Sequence, residues 1–335
     1  MMILVIGATG FVGNAVVRAL HEAGLPVRAL VRSRVRSSAR APKSSASKFS
    51  VAQKKMAKST RTFSAHEMPI GVQVVRGDVM QPETLRDAMH GCYAVINLVG
   101  IIRENEYSFE QMHVESVRNI LQAMKETPIE RLIHMSALGT REEAVSQYHK
   151  TKWQAEELIR TAGLNWTIFR PSLIYGAHSA FLRQMLPLVR APLTPIISPG
   201  MDSGLLQPIH VDDVAACFVQ AIVDKSGKHA RQIYEIGGPD QVTTLQILQS
   251  MSRILGRRLR VVKMPLTIIY PLFVLGETLR LPAPVTCDQL TMLNEDTICD
   301  LGPLRFMFKI EPRPFESGLH DALIETVLAE EFDTA

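Results

Sequence analysis

Short, almost wholly apolar runs alternate along this chain with longer stretches in which apolar residues recur every three or four positions. "ILVIGATGFVGNAVVRALHEAG" reads as a buried strand, a tight glycine turn and an amphipathic helix that stops at Gly24. "PVRALVR" is a second strand, and "VQVVRGDV" a third, followed by a helix from about Pro82 to His90. "AVINLVG" is a fourth strand leading to the helical "SFEQMHVESVRNILQAMKE". "RLIHMSALG" is a fifth, followed by the helix "QYHKTKWQAEE", and "WTIFRPSLIYG" a sixth. Strands that are apolar on both faces, each followed by a helix, predict a parallel sheet covered on both sides. The expected fold class is α/β, a Rossmann-type doubly wound sheet with a smaller C-terminal part.

Two regions break this rhythm. Residues 33–69 are rich in Ser, Ala and Lys, poor in large apolar residues and without a period, which predicts a flexible, solvated insertion between the second and third strands. From Thr243 a helix, "TTLQILQSMSRILG", precedes an apolar stretch, 264–276, too short to span a bilayer and interrupted by Pro271. Burial is the expected fate of that stretch, with docking on a membrane or a partner subunit as the alternative.

Composition adds bounds. With 46% hydrophobic and 21% charged residues, the 335-residue chain has ample material for a large core. Cys92, Cys217, Cys287 and Cys299 are scattered with no C-x-x-C, as expected of reduced packing residues in a cytoplasmic protein. The N-terminus carries no signal peptide pattern. Residues 33–66 hold nine Lys or Arg and no acid, so removing them from the net +4 leaves the rest at −5. The basic charge therefore belongs to one segment, and nucleic acid is not an expected partner. An anionic membrane surface could attract that segment.

Candidate chemistry begins at Gly7, Gly10 and Gly13, which follow a strand and open a helix. The first allows the tight turn, the second lets backbone approach a pyrophosphate, and the third lets helix and strand pack closely. The helix N-terminus supplies N–H donors, placing Thr9, Phe11 and Val12 beside the anion. The second strand ends without the acid that would hold a ribose 2′-hydroxyl; Arg32, with Arg34 nearby, favours NADP(H) over NAD(H). Asp78 is either an acceptor for the adenine amino group or a turn former.

Tyr148 and Lys152 lie four apart, on one face of their helix. An ammonium held there would lower the phenol's pKa and fit it for proton transfer. His210 precedes Asp212 and Asp213, but these do not share a face, so a helix start is expected and no metal site. Trp153 and Trp166 are expected to pack in the core.

GATGFVG, "GDV", "NLVG", "HMSALG", Y-x-x-x-K, "RPSLIYG" and "LQPIHVDDVA" occur in the order used by extended and atypical short-chain dehydrogenases/reductases, the epimerase/dehydratase-like proteins. More narrowly, "INLVGIIRE", "HMSALGT" and "YHKTKWQAEE" resemble the branch containing the NAD(P)H-binding accessory subunit of respiratory complex I and its bacterial relatives. The resemblance runs from residue 1 to about 315, outside the insertion. It implies a nucleotide held by Gly7, Gly10, Gly13, Asp78 and Val79, with Asn97, Leu98, Val99 and Gly100 along the adenosine ribose. It implies that Ser136 polarises a substrate carbonyl, Tyr148 moves the proton, and Lys152 binds the nicotinamide ribose and depresses the Tyr148 pKa. Pro171 and Ser172 would border the nicotinamide. The activity implied is carbonyl reduction or epimerisation, or else a non-catalytic nucleotide-binding role in a membrane redox complex, on the inner face of the membrane. Three features depart from the pattern: His113 stands where an Asn is usual, the Ser136–Tyr148 gap is short, and the insertion between the second and third strands is unusual. The expected division is a nucleotide-binding core, 1–175, and an interleaved substrate- or partner-facing part, 176–335, with 207–238 returning to the core.

Overall fold

Apolar strands that bury both faces need helices on either side, and the chain supplies them in alternation. The computed structural model describes residues 2–32, 68–190, 196–198, 203–263, 270–271, 274–275 and 286–334. The chain runs β1 (Met2–Ile6), α1 (Phe11–Glu22), β2 (Val27–Val31), β3 (Gln73–Arg76), α2 (Pro82–Met89) and β4 (Cys92–Asn97). A π-helical turn (Glu110–Glu115) leads into α3 (Ser116–Lys125), then β5 (Arg131–Met135), α4 (Gln147–Arg160) and β6 (Asn165–Pro171). Next come β7 (Ile174–Tyr175), α5 (Ala180–Arg190), β8 (Ile196–Ser198), β9 (Leu205–Leu206), β10 (Ile209–His210) and α6 (Val211–Val223). The chain continues with β11 (Gln232–Ile236), β12 (Val242–Thr243), α7 (Thr244–Ile254), β13 (Val261–Lys263), α8 (Cys287–Leu293) and α9 (Phe315–Thr334).

Seven strands form one sheet in the order β11-β6-β5-β4-β1-β2-β3. Every pairing in it is parallel. This is a Rossmann-type α/β sheet. The two faces have separate cores: Ile3, Val5, Ile133 and Phe169 pack with α1 and α6, while Leu4, Ile6, Leu132 and Ile168 pack with α2, α3 and α4. Each fully buried Leu, Ile or Val contributes roughly 1.5–3 kcal/mol of transfer free energy. A third cluster joins α5, α7 and α9 around Tyr175, Leu186, Ile247 and Leu319. Direction of travel reverses between β1 and β4, so a crevice opens at their carboxyl ends, where open α/β sheets bind ligands.

Some expectations need correction. Residues 33–67, Arg34 among them, lie outside the described residues; Met68, expected in the solvated insertion, is instead buried in the core that includes α1. Of the stretch 264–276 only residues 270, 271, 274 and 275 are described, and Tyr270, Val274 and Leu275 are exposed rather than buried. Trp166 is buried, whereas Trp153 is only half-buried, its ring lying 4.2 Å from the Arg160 guanidinium carbon. No described helix is long and apolar enough to cross a membrane.

Candidate functional site

At the β1 end, Gly7 adopts φ +85°, and a Cβ there would lie 3.0 Å from the Leu98 carbonyl carbon at the exit of β4. A Cβ on Gly13 would run into the Gly7 carbonyl oxygen, so only glycine lets α1 start this close to β1. Gly10 is the N-cap of α1, with no side-chain cap and no acid in the first turn. The helix start is left for an anion to complete. Asn97 does not face this cradle: it donates from Nδ2 to His134 Nδ1 (3.1 Å) and accepts the Val99 N–H on Oδ1 (3.1 Å), which fixes the β4 exit. Val79 is buried, its carbonyl accepting from Asn119 (2.9 Å). One carboxylate oxygen of Asp78 caps its own turn through the Met80 N–H (2.9 Å). Arg32, at the end of β2, is exposed, pairs with Glu106 at 3.3 Å and lies 5.5 Å from the Tyr107 ring centre.

A cavity of about 330 Å³ starts at Phe11 and Val12 and continues past Pro171 and Ser172 to Ser136 and Tyr148. The first turn of α1 and the two hydroxyls thus border one cavity, although the glycines of the cradle are not among the residues that line it. A glycine cradle, an uncapped helix and a contiguous cavity fit a dinucleotide lying across the switch point.

Ser146 caps α4, its Oγ accepting the His149 N–H (3.2 Å). Asp288 of α8 completes the cap, accepting Gln147 N–H at 2.7 Å and Tyr148 N–H at 3.2 Å. The Tyr148 ring is hemmed by Phe109, His113 and His149, with ring centres 5.8, 5.3 and 5.3 Å away. Lys152 does not line the cavity. Its ammonium donates to the Met135 carbonyl (3.1 Å) and lies over Gly100, where a Cβ would come within 3.0 Å of it.

Burial sets the electrostatics. It pushes the Tyr148 phenol up to about 12 and the Lys152 ammonium, partly supported by Glu156, down to about 8. The expected depression of the Tyr148 pKa by Lys152 is therefore not found: burial raises it, and Lys152 is not among the causes of its shift. Glu156 is itself fully buried and held by Arg170 at 2.7 Å and Arg160 at 3.2 Å. His113 sits on the π-helical turn, pushed down to about 2 by burial and then by Lys152. Its Nδ1 meets Thr151 Oγ1 (2.9 Å), and its Nε2 lies 3.2 Å from the Ile101 N–H and 3.1 Å from the Ile101 carbonyl oxygen. Ser136 is buried with its Oγ 3.4 Å from Thr140 Oγ1. The Ser172 hydroxyl donates to the Thr297 carbonyl (2.8 Å) and accepts the Gln207 N–H (3.1 Å).

Sequence reasoning missed His149 and all of α8, whose Gln289, Met292 and Leu293 line the cavity. The T-x-x-Q capping box at Thr286–Gln289 was a readable signal for the helix, though not for where it docks. The His210–Asp212–Asp213 cluster is a helix start: His210 Nδ1 accepts the Asp212 N–H (3.3 Å), and Asp213 accepts the Arg313 N–H (2.9 Å).

The parallel sheet, the glycine cradle and the cavity at the switch point define a Rossmann-type protein of the short-chain dehydrogenase/reductase kind. The chain belongs to the NmrA-like family, whose model matches residues 1–293. It is similar to the mitochondrial NADH dehydrogenase (ubiquinone) 1 alpha subcomplex subunit 9 of Arabidopsis thaliana, 31% identical over 242 residues that cover 68% of this chain and 59% of that protein. The chain spans about three-fifths of the length of this subunit and of the 40 kDa mitochondrial subunit of Neurospora crassa (59% and 60%). It is also 26% identical over 270 residues to the NAD(P)H azoreductase of Xenophilus azovorans, covering 79% of this chain and 78% of that one. In fold it is similar to the UDP-glucose 4-epimerase of Thermotoga maritima (TM-score 0.70, 16% identity, 98% of this chain and 100% of that one).

Proposed function

We propose that this protein is an NADP(H)-dependent carbonyl reductase. The observation that carries the reading is the single cavity running from the α1 start to Ser136 and Tyr148. A bound nicotinamide dinucleotide supplies a hydride there. Ser136 hydrogen-bonds the carbonyl oxygen, and Tyr148, held protonated by burial, donates its proton to that oxygen as the carbon accepts the hydride, giving an alcohol. Lys152, charged below its lowered pKa of about 8 and one helical turn from Tyr148, would balance the charge of the resulting phenolate. Preference for NADP(H) rests on Arg32: its exposed pair with Glu106 is weak and a 2′-phosphate would displace it.

The test is NADPH oxidation with a ketone panel by the protein and by Tyr148→Phe. Turnover should fall at least about a hundredfold in the variant while NADPH still binds, the share general acid catalysis supplies. Equal turnover by both proteins would end the reading. Arg32→Ala should lower the ratio of NADPH to NADH affinity by about tenfold, the scale of one charge-assisted contact.

A second reading, a non-catalytic nucleotide-binding subunit of a membrane redox complex, is favoured by the similarity to mitochondrial complex subunits and by the exposed Tyr270, Val274 and Leu275. Native electrophoresis of gently solubilised membranes separates the two. Co-migration with a large NADH-oxidising complex, undisturbed by Tyr148→Phe, would support the subunit reading and a peripheral location.

A further inference from the structure

The reductase reading leaves the substrate open, and the walls of the cavity bear on it. Beyond Ser136 and Tyr148 the wall is built from Ile102, Leu138, Phe181, Met185, Met292 and Leu293. Among the described residues that line it there is no Lys, Arg, Asp or Glu.

Three nearby charges are engaged elsewhere. Arg141 pairs with Glu295 at 3.1 Å, Asp288 caps α4, and the Lys152 ammonium is bonded to the Met135 carbonyl. Several polar lining groups are also committed. Ser172 bridges Thr297 and Gln207. The Ser179 hydroxyl accepts the Leu182 N–H at 3.3 Å. Gln289 accepts the Thr286 N–H at 3.0 Å and donates to the Ile102 carbonyl at 3.4 Å. His149 is buried and its pKa lowered, so it adds no charge at neutral pH.

The dinucleotide's own phosphates have the start of α1, whereas a second phosphate or diphosphate beyond Ser136 and Tyr148 would lose its hydration with no cation among the described lining residues to replace it, which is costly for an unpaired charge. An apolar body would gain transfer free energy, and one oxygen would find two hydroxyls. The methionines in the wall, with unbranched and polarizable side chains, suit bodies of varied shape.

We infer that the substrate is an uncharged carbonyl compound with an apolar body, bound with its oxygen between Ser136 and Tyr148, and not a sugar nucleotide. The inference rests on the reductase reading for the word substrate; the ligand class rests on the cavity wall alone.

The experiment is ligand-detected saturation-transfer NMR on the full chain loaded with NADP+, titrated separately with 2-decanone and with UDP-glucose. Saturable binding of 2-decanone and none of UDP-glucose is expected. Met292→Lys should raise the Kd for 2-decanone at least tenfold, and Phe181→Ser should raise it severalfold, with NADP+ affinity and circular dichroism unchanged in both. Phe181→Ser introduces no charge, so one variant remains if the other does not fold. Binding of UDP-glucose without 2-decanone, or 2-decanone affinity indifferent to both substitutions, would overturn the inference. If 2-decanone binds but NADPH does not reduce it, the ligand class stands and the reductase reading falls.

Discussion

At the scale of single residues, the centre of this site is a set of polar groups held almost out of reach of water. Lys152 is the most informative of them, because its pKa falls from an ordinary 10.5 to about 8. A lowered pKa means that the unfolded chain binds this proton more tightly than the folded one. Stability from this group is present above pH 10.5 and is lost as pH falls to about 8. The protein should therefore gain stability relative to Lys152→Met as pH rises from 8 to 10.5, by roughly 3 kcal/mol at about 1.4 kcal/mol per unit. Urea unfolding of both proteins at pH 7.5 and at pH 10 measures this, and a pH-independent difference would contradict it. His113, neutral down to about pH 2, adds nothing to that window. It hydrogen-bonds the Ile101 backbone and sets its ring against Tyr148.

At the scale of elements, α1 and α4 are the two helices that carry the site, and each depends on something outside itself. The start of α1 depends on Gly13, since a Cβ there meets backbone rather than a movable side chain. Gly13→Ala should destabilise the fold by about 1–3 kcal/mol, the usual effect of overpacking, and weaken NADPH binding as helix and strand separate. A urea midpoint and an NADPH titration read both effects. The start of α4 depends on Asp288, some 140 residues away in sequence. Asp288→Ala should lower stability by about 1 kcal/mol, as lost caps do. It should also reduce turnover more than NADPH affinity, because the lost bond reaches the Tyr148 backbone directly. Both helices were legible as helices from their apolar period. The dependence of α4 on α8 was not, because capping by a distant carboxylate leaves no mark in local sequence.

At the scale of the whole molecule, the cradle spans β1, β4 and α1, so a dinucleotide bound there should stabilise the fold as a unit. At a hundred times its Kd, NADPH should add about 2.7 kcal/mol and raise the melting temperature, whereas NADH at equal concentration should add less. Differential scanning fluorimetry with each cofactor checks this, and equal shifts would remove the basis for the NADP(H) preference.

The sequence by itself determined the parallel sheet, because strands apolar on both faces and followed by amphipathic helices have no other common solution. It determined the glycine turn as well, because a left-handed backbone and a close approach demand residues without a Cβ. It also brought Tyr148 and Lys152 to one helix face through the 3.6-residue period. Only the tertiary structure decided which way those side chains turn, that burial dominates their pKa values, and that α8 closes the cavity with an apolar wall. Desolvation and shared cavities arise from atoms distant in sequence, and their sum is set only when the layers pack together.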